Sequence, residues 1–388
     1  MNFTLSERLR KLPPYIFSQM ENVISEKKKQ DISFISLSIG DPDLPPPDFI
    51  LNALKKEAAD PKNHNYSFSQ GEPDFKDAVS VWYKKRFKVD LDSENEVAAL
   101  IGSKEGMANF VRAFINTGDR VLVPDPAYPV YENGGTLLSE GIPITMPLCE
   151  ENDFLPDLVS LPTENVKMAF LNYPNNPTSA TLNRDYLKAV VEWAKENNII
   201  LCYDNAYSEI TFGDYKAPSI LEIEGAKDVA VEFHSCSKTF NITGDRIGFA
   251  AGNSQLIKGL IKVKTQIDSG PPVYIQKVAI KALESYPENG YPEFLKNNNQ
   301  IISDRCDILI KGLNNIGVNC KKPKGTFYVW SNLNRNSMEI TLKLIDAGVI
   351  VTPGIGFGKQ GENYIRFSLT RPKEEIQEAC QRMAKTLS

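Results

Sequence analysis

Residues 229–252, VAVEFHSCSKTFNITGDRIGFAAG, hold the pattern on which the prediction of the fold depends. VAVEFHS (229–235) and IGFAAG (247–252) predict short buried β-strands, because each is brief and rich in apolar residues. A Gly/Thr-rich turn lies between them, and Lys238 comes soon after the first run. The segment therefore predicts a lysine at the edge of a sheet.

Upstream, similar strand-like runs alternate with helix-like stretches. The predicted strands are EVAALIG (96–102), DRVLVP (119–124), VKMAFLNYP (166–174) and NIILCYD (198–204). The predicted helices are MANFVRAFINTG (107–118), which would end at Gly118, and RDYLKAVVEWAKENN (184–198). Such alternation is typical of an α/β fold, with a mostly parallel sheet that helices cover on both faces.

The pattern changes after about Ser254, where three helix-like stretches come first. They are SQLIKGLIKVKTQ (254–266), YIQKVAIKALESY (274–286) and residues 293–315. A strand, a helix, two strands and a helix follow: TFYVW (326–330), MEITLKLIDAG (338–348), VIVTP (349–353), YIRFSLT (364–370) and EEIQEACQRMAKTL (374–387). This order predicts a smaller α+β domain beside the sheet domain.

Composition excludes several classes of protein. The chain has 388 residues, 44 Lys and Arg against 49 Asp and Glu, and a net charge of -5, so we expect no nucleic-acid partner and no membrane partner. We expect neither a secretory signal nor a spanning helix, and six cysteines without CxxC spacing predict free thiols in the cytoplasm. Only two histidines, His64 and His234, are present, so we expect no metal site and no Ser-His-Asp hydrolase.

One motif matches a nucleotide-binding pattern by its letters alone. Residues 356–361, GFGKQG, fit GxGxxG, which in a dinucleotide site leaves a strand and opens a helix. The stretch that follows here, ENYIRFSLT, is strand-like. We therefore interpret residues 356–361 as a Gly-rich connection between two strands.

The residues around Lys238 suit the chemistry of a phosphorylated aldehyde. A lysine that is partly desolvated at a sheet edge has a lowered pKa and becomes a nucleophile. Ser235, Ser237 and Arg246 are suited to holding a phosphate. Taken alone, the SxSK pattern is weak, and a solvated surface lysine is its default interpretation.

Three other segments follow predicted strands at the same edge. Asp204 ends NIILCYD, and Tyr207 comes three residues later; a helix cap is the alternative role of Asp204. Residues 172–178, NYPNNPT, could present amide groups there or form a plain turn. Residues 102–106, GSKEG, precede a helix whose free N–H groups suit a phosphate.

The chain resembles the pyridoxal phosphate (PLP) dependent class I/II aminotransferases of fold type I. Seven segments match motifs of this family in order: YSFSQGEPDFKDAV, GSKEGM, DPAYPVY, NYPNNPT, DNAYSEI, SCSKTFNITGDRIG and YIRFSL. The resemblance implies PLP as cofactor, a large PLP-binding domain at residues 41–290, and a small domain from residues 1–40 and 291–388.

The resemblance also assigns residue roles. It makes Lys238 the lysine that forms a Schiff base with PLP and then moves a proton, and Asp204 the partner of the pyridinium nitrogen. Tyr207 and Asn176 would hydrogen-bond the ring O3′, and Tyr128 would stack on the ring. The phosphate would be held by Ser103, Lys104, Ser235, Ser237 and Arg246.

Other implied roles concern the substrate and a second subunit. Arg366 would bind the substrate α-carboxylate bidentately, and Gly40 would let the backbone approach it. Tyr66 would reach the phosphate of the other subunit, which makes the active unit a homodimer. Two positions depart from the family pattern: Asp245 stands where Trp is common, and Ser179 stands where Gly is usual.

Within the family, the N-terminal segments ERLRKLPPYIFSQM and ISLSIGDPDLPPP resemble the LL-diaminopimelate aminotransferase subgroup. There Tyr15 would lie near the substrate, although a role in helix packing is an equal alternative. Residues 265–276, TQIDSGPPVYIQ, lack the arginine with which aspartate aminotransferases bind a distal carboxylate. The prediction is ping-pong transfer between an amino acid, with glutamate as expected donor, and a 2-oxo acid such as tetrahydrodipicolinate.

Other functions stay open at this point. The amino acid could instead be aspartate, alanine, an aromatic residue or N-succinyl-diaminopimelate. A PLP-dependent C–S lyase would use the same Lys238 and Asp204. A non-enzymatic regulator of this fold would need an attached DNA-binding domain, for which the chain has no spare segment.

Overall fold

The structure of the protein, a computed structural model, describes residues 3–13 and 33–387. Their strands are β1 (Ile35–Ser36), β2 (Val97–Leu100), β3 (Arg120–Asp125), β4 (Ile142–Pro147), β5 (Val166–Asn172), β6 (Ile200–Asp204), β7 (Ala230–Ser235), β8 (Gly248–Gly252), β9 (Tyr328–Asn332), β10 (Val349–Ile350), β11 (Thr352–Pro353) and β12 (Tyr364–Ser368). Their α-helices are α1 (Glu7–Arg10), α2 (Asp48–Ala59), α3 (Pro73–Phe87), α4 (Ser103–Phe114), α5 (Arg184–Glu196), α6 (Ala226–Val229), α7 (Cys236–Thr239), α8 (Ser254–Lys264), α9 (Val273–Glu284), α10 (Glu293–Asn315), α11 (Ser337–Asp346) and α12 (Lys373–Leu387).

A seven-stranded sheet organises the larger part of the molecule. Its strand order is β2-β8-β7-β6-β5-β3-β4, and β8 is antiparallel to both of its neighbours whereas the other pairs are parallel. The predicted mostly parallel sheet is therefore confirmed. Strand β4 was not predicted, because Pro143 and Pro147 interrupt its apolar pattern; proline is tolerated there since β4 lies at the sheet edge.

Helices cover both faces of this sheet, as predicted. Leu201 and Tyr203 of β6 pack in one apolar cluster with side chains of α2, α3, α5 and α9. Cys202, which points to the opposite face, packs with side chains of α4 and α8. Successive side chains of a strand point to opposite faces of the sheet. A strand whose residues are apolar at every position is therefore buried on both faces.

The helix after β2 differs from its predicted bounds. Helix α4 begins at Ser103 and ends at Phe114, so the prediction that it runs to Gly118 is wrong. Ile115 already has extended backbone angles, and the N–H of Asn116 donates to Asp119 in a turn. Gly118 lies in that turn with φ of 87°, after the helix rather than at its end.

The C-terminal part builds a second, smaller layer. Strands β11, β12 and β9 form an antiparallel sheet, and β1 pairs with β10 in parallel, with Ile35 opposite Val349. A separate apolar cluster packs these strands against α10, α11 and α12. The N- and C-terminal parts thus share one core, which supports the predicted division; its bounds, 41–290 against 1–40 and 291–388, stay a prediction.

Two further expectations concern links and thiols. The GxGxxG motif forms 3-10 turns at Gly354–Phe357 and Lys359–Gly361 between β11 and β12, so the predicted strand-to-strand connection is confirmed. All six cysteines are free thiols. Across residues 3–13 and 33–387, no helix is both long and apolar enough to span a membrane.

Candidate active site

The carboxyl ends of the central strands bring the predicted site residues to one edge of the sheet. Asp204 ends β6, Ser235 ends β7, and Ser103 comes soon after the end of β2. Arg246 reaches the same edge because β8, which follows it, runs in the opposite direction. Ligands of α/β proteins bind at this edge.

Lys238 lies in the short helix α7, directly after β7. Its Nζ donates to the carbonyl oxygen of Gly40 at 3.0 Å. Burial lowers the pKa of Lys238 to about 8; the nearby Asp41 opposes this effect, whereas the positive charges of Arg246 and Arg366 add to it. A substantial fraction of the amine is therefore neutral near pH 7–8 and can act as a nucleophile or base.

Asp204 is a buried carboxylate, only 4% exposed. Burial raises its pKa to about 6, while the hydroxyl of Tyr131, the N–H of Ala206 and the charge of His234 hold it down. The Tyr131 hydroxyl lies 2.7 Å from Oδ2, and the Ala206 nitrogen lies 3.2 Å from Oδ1. The group stays ionised at neutral pH and is suited to pairing with a cationic ring nitrogen.

Tyr131 is a site residue that the sequence analysis missed. It lies in a π-helical segment, Val130–Thr136, and its ring stacks on Phe170 with 4.8 Å between centroids. Its ring also makes an edge contact with Tyr128, at 5.9 Å between centroids. The available signal was the spacing in DPAYPVY, since residues three apart on a helical turn lie on the same side.

Arg366 lies in β12 of the small sheet and is buried. Its Nη1 donates to Oδ1 of Asn176 at 2.8 Å, and its Nη2 donates to the carbonyl oxygen of Ser38 at 2.7 Å. The guanidinium carbon lies 4.2 Å from the ring centroid of Tyr328 and 4.6 Å from that of Phe357. The small sheet thus presents a fixed guanidinium that meets Asn176, which lies in the turn after β5.

The hydroxyl of Tyr207 belongs to the same cluster. It lies 3.3 Å from the Tyr328 hydroxyl and accepts a weak hydrogen bond from Nδ2 of Asn176 at 3.5 Å. Burial raises the pKa of Tyr207 well above its usual range, so the hydroxyl remains a donor. A side chain at Gly40 would overlap the Tyr328 ring, which explains why this backbone approach needs glycine. Tyr328 carried no sequence signal.

An anion pocket lies at the start of α4. Ser103 is the first residue of this helix, whose N–H groups and dipole favour a negative charge. Gly102 has φ of 76°, and a Cβ there would overlap Nη2 of Arg246. Nη1 of Arg246 hydrogen-bonds Ser237 Oγ at 3.4 Å and the carbonyl of Thr243 at 2.7 Å.

Two predicted phosphate contacts differ in burial. Ser235 is buried at the end of β7, whereas the side chain of Lys104 is exposed and its Nζ lies 5.8 Å from the ring centroid of Tyr128. Asp245, the departure beside Arg246, is half-buried, and burial raises its pKa. The two hydrogen bonds of Arg246 described above are to Ser237 and Thr243, so they do not involve Asp245.

Ser179, the second departure, occupies a backbone conformation that favours glycine. Its φ is 59°. Its hydroxyl hydrogen-bonds the Thr326 hydroxyl and the Tyr328 carbonyl, each at 2.8 Å. A serine can therefore replace the usual glycine, because two hydrogen bonds offset the backbone strain.

The predicted residue Tyr66 lies on the surface of the chain. Tyr66 is 92% exposed on the single chain. Tyr15 lies outside the described residues.

The residues at the sheet edge fit PLP. This cofactor carries a phosphate, a basic ring nitrogen and an aldehyde. The pocket of Gly102, Ser103 and Arg246 suits the phosphate, the buried carboxylate of Asp204 suits the nitrogen, and Lys238 has the lowered pKa that an aldehyde needs.

Comparison with known proteins places this chain among the aminotransferases. The family model for aminotransferase class I and II matches residues 32–383. An LL-diaminopimelate aminotransferase of Aquifex aeolicus is 49% identical, with 98% of each chain covered. The substrate-bound structure of BacF from Bacillus subtilis is 36% identical with a TM-score of 0.92, covering 99% of this chain and 98% of that one. A probable N-succinyldiaminopimelate aminotransferase of Thermus thermophilus is 32% identical with a TM-score of 0.89, covering 96% and 100%.

Proposed function

This chain belongs to the class I and II aminotransferases, and we propose that it transfers an amino group between LL-diaminopimelate and a 2-oxo acid. The family is PLP-dependent and acts on amino acids and 2-oxo acids, with the fold described above. The substrate proposal depends chiefly on one observation: the LL-diaminopimelate aminotransferase of Aquifex aeolicus is 49% identical over 98% of this chain. Glutamate and 2-oxoglutarate are the proposed second pair.

The proposed site gives each group of PLP a set of residues. Ser103, Lys104, Ser235, Ser237 and Arg246 would hold the phosphate, and Tyr128 would lie against the ring. When bound, PLP supplies an electron-accepting ring that stabilises negative charge on the substrate Cα. The carboxylate of Asp204 would keep a proton on the ring nitrogen, which strengthens that capacity.

Lys238 is the proposed proton carrier. Its pKa is lowered to about 8 by burial, so part of the amine is neutral and would take the proton from the substrate Cα and deliver it to C4′ of the cofactor. Tyr207 and Asn176 would donate hydrogen bonds to the ring oxygen, a role supported by the raised pKa of Tyr207.

The substrate carboxylate would bind to Arg366. Each Nη atom carries two hydrogens and uses one of them, toward Asn176 or Ser38, so the guanidinium is oriented before substrate arrives. Gly40 would admit the substrate carboxylate beside Tyr328. We keep Tyr15 as a proposed substrate contact on the resemblance alone.

A homodimer in the cytoplasm is part of the proposal. Tyr66 is exposed on the single chain, which suits a residue that enters the other subunit's phosphate site. Six free thiols support a reducing compartment.

The substrate is tested by steady-state assay of LL-diaminopimelate with 2-oxoglutarate, followed by the glutamate formed. We expect turnover with the LL isomer and none in Lys238→Ala. The proposed substrate would be refuted if LL-diaminopimelate were not turned over, but aspartate, alanine, an aromatic amino acid or N-succinyl-diaminopimelate were. A C–S lyase would release pyruvate and ammonia from a cysteine conjugate without any 2-oxo acid.

A further inference from the structure

A fully buried lysine lies between the phosphate pocket and the segment that carries Tyr66. Lys264 is the last residue of α8, and its side chain is 0% exposed. Its ammonium donates to Oε1 of Glu105 at 2.7 Å, and to the carboxylate oxygens of Asp268 at 3.2 and 3.1 Å. A buried ammonium is costly without such partners, so the three side chains form one unit.

The first arm of this unit reaches the phosphate pocket of its own subunit. Glu105 lies in the first turn of α4, and its Oε1 also accepts the N–H of Ile101 at 2.8 Å. Ile101 is followed directly by Gly102 and Ser103, which form the pocket. One carboxylate oxygen of Glu105 therefore accepts hydrogen bonds from both Lys264 and Ile101. Through this oxygen, Lys264 holds the backbone that leads into the pocket.

The second arm reaches the segment after Tyr66. The carbonyl oxygen of Asp268 accepts a hydrogen bond from Ser69 Oγ at 3.0 Å, and the carbonyl of Ser269 accepts one from Ser67 Oγ at 2.8 Å. The carboxylate of Asp268, held by Lys264, thus fixes the loop on which residues 67–69 rest.

Tyr66 itself projects from this anchored segment into solvent. It is 92% exposed, and the neighbouring Phe68 is 61% exposed. An exposed aromatic side chain on a backbone that is held by hydrogen bonds is pre-organised for a contact outside its own chain.

We propose that Lys264 is a positioning residue that couples the two active sites of the homodimer. Through Glu105 it holds the phosphate pocket of its own subunit, and through Asp268 it holds the segment that places Tyr66 in the other site. This inference rests on the proposed function, specifically on the homodimer and the role of Tyr66.

Heterodimers separate the two arms. One subunit carries Lys238→Ala, so the visible absorption of lysine-bound PLP reports only the intact site of the other subunit. Lys264→Met is then placed on the Lys238→Ala subunit, where it can act on the reporting site only through Tyr66. We expect the PLP affinity of the intact site to fall about tenfold, the effect of one lost charged hydrogen bond. Lys264→Met on the reporting subunit should weaken affinity by a similar factor through Glu105.

Matched variants sharpen the test. Asp268→Asn leaves the Lys264–Glu105 pair in place, so it should weaken PLP binding when it is on the Lys238→Ala subunit and have little effect on the reporting subunit. It also carries the test if Lys264→Met does not fold. Lys262→Met, at an exposed lysine of the same helix, should change nothing.

The outcomes distinguish this inference from the function on which it rests. If Tyr66→Phe on the Lys238→Ala subunit weakens the intact site but Lys264→Met and Asp268→Asn there do not, the coupling is refuted and the proposed homodimer stands. If Tyr66→Phe there has no effect, the proposed role of Tyr66 is wrong as well. If Asp268→Asn lowers the PLP affinity of the intact site equally from either subunit, its role is purely structural. That result would also contradict the coupling.

Discussion

The hydroxyl of Tyr131 lies 2.7 Å from Oδ2 of Asp204 and donates a hydrogen bond to this buried carboxylate. Burial alone drives the carboxylate toward its neutral form, and the hydrogen bond opposes that tendency. In the proposed mechanism Asp204 acts as an anion, so Tyr131 would support catalysis through this hydrogen bond.

Tyr131→Phe should raise the pKa of Asp204 further above its value of about 6, because the hydrogen bond that lowers it is lost. The acid limb of the pH profile of PLP binding to the cofactor-free protein should then move to higher pH, and PLP affinity should fall more at about pH 6 than at about pH 8. The profile is compared with that of Tyr186→Phe, a tyrosine that bonds the Pro156 carbonyl. An acid limb that does not move would show that Tyr131 has no such role.

Asp204→Asn should stabilise the cofactor-free protein at neutral pH while abolishing most activity. The pKa of Asp204 is about 6 in the folded state, against an ordinary 3.8. Between these pH values the folded state binds more protons than the unfolded state. The free energy of unfolding therefore falls as the pH rises through this window. The cost is complete above about pH 6 and amounts to about 3 kcal/mol at most.

Denaturant unfolding at about pH 8 and about pH 4.5 measures this effect. The gain in unfolding free energy of Asp204→Asn should be largest at the higher pH and shrink toward the lower one. A variant that is destabilised equally at both pH values would contradict the assigned burial cost.

Arg366→Lys should raise KM for both the amino acid and the 2-oxo acid by about tenfold to a hundredfold, since lysine cannot make the bidentate contact. The lysine also cannot reproduce the pair of hydrogen bonds that Arg366 donates to Asn176 and to the Ser38 carbonyl. Steady-state kinetics with each substrate varied in turn measure the change. Arg371→Lys, at an exposed arginine, is the control and should be neutral. An increase in KM for only one of the two substrates would argue against a shared carboxylate site.

Replacements of Ser179 test how this position tolerates serine. Ser179→Ala keeps the strain of a φ of 59° and loses both buried hydrogen bonds, so it should lower the unfolding free energy by about 2 kcal/mol. Ser179→Gly loses the same bonds but relieves the strain, so its loss should be about 1 kcal/mol smaller. Both are measured by denaturant unfolding. An alanine variant as stable as the glycine variant would refute this explanation.

Much of the fold followed from local pattern. The alternation of short apolar runs and amphipathic stretches predicted the parallel sheet, because strands buried on both faces leave a continuous apolar signal. Strand β4 escaped, because an edge strand with Pro143 and Pro147 has no such signal. The end of α4 was misplaced because the turn at Asn116 ends the helix before Gly118.

The site was predictable where its residues follow strands. Asp204 ends β6 and Lys238 lies in the short helix directly after β7, so topology alone brings them to one edge. Tyr131 and Tyr328 were missed, since a π-helical turn aims the first at Asp204 and the packing of the small sheet brings the second to Tyr207. Such partners depend on tertiary geometry, so the sequence offered only the spacing in DPAYPVY for Tyr131 and no signal for Tyr328.

The most direct test is the visible absorption spectrum of the PLP-loaded protein before and after LL-diaminopimelate is added. The loaded protein should show a visible band from lysine-bound cofactor, and Lys238→Ala should lack it. LL-diaminopimelate should bleach this band as the cofactor takes up the amino group, and 2-oxoglutarate should restore it. A band that persists with LL-diaminopimelate, but is bleached by aspartate, alanine or an aromatic amino acid, would contradict the proposed substrate. A protein that shows no band even with added PLP would contradict the site itself.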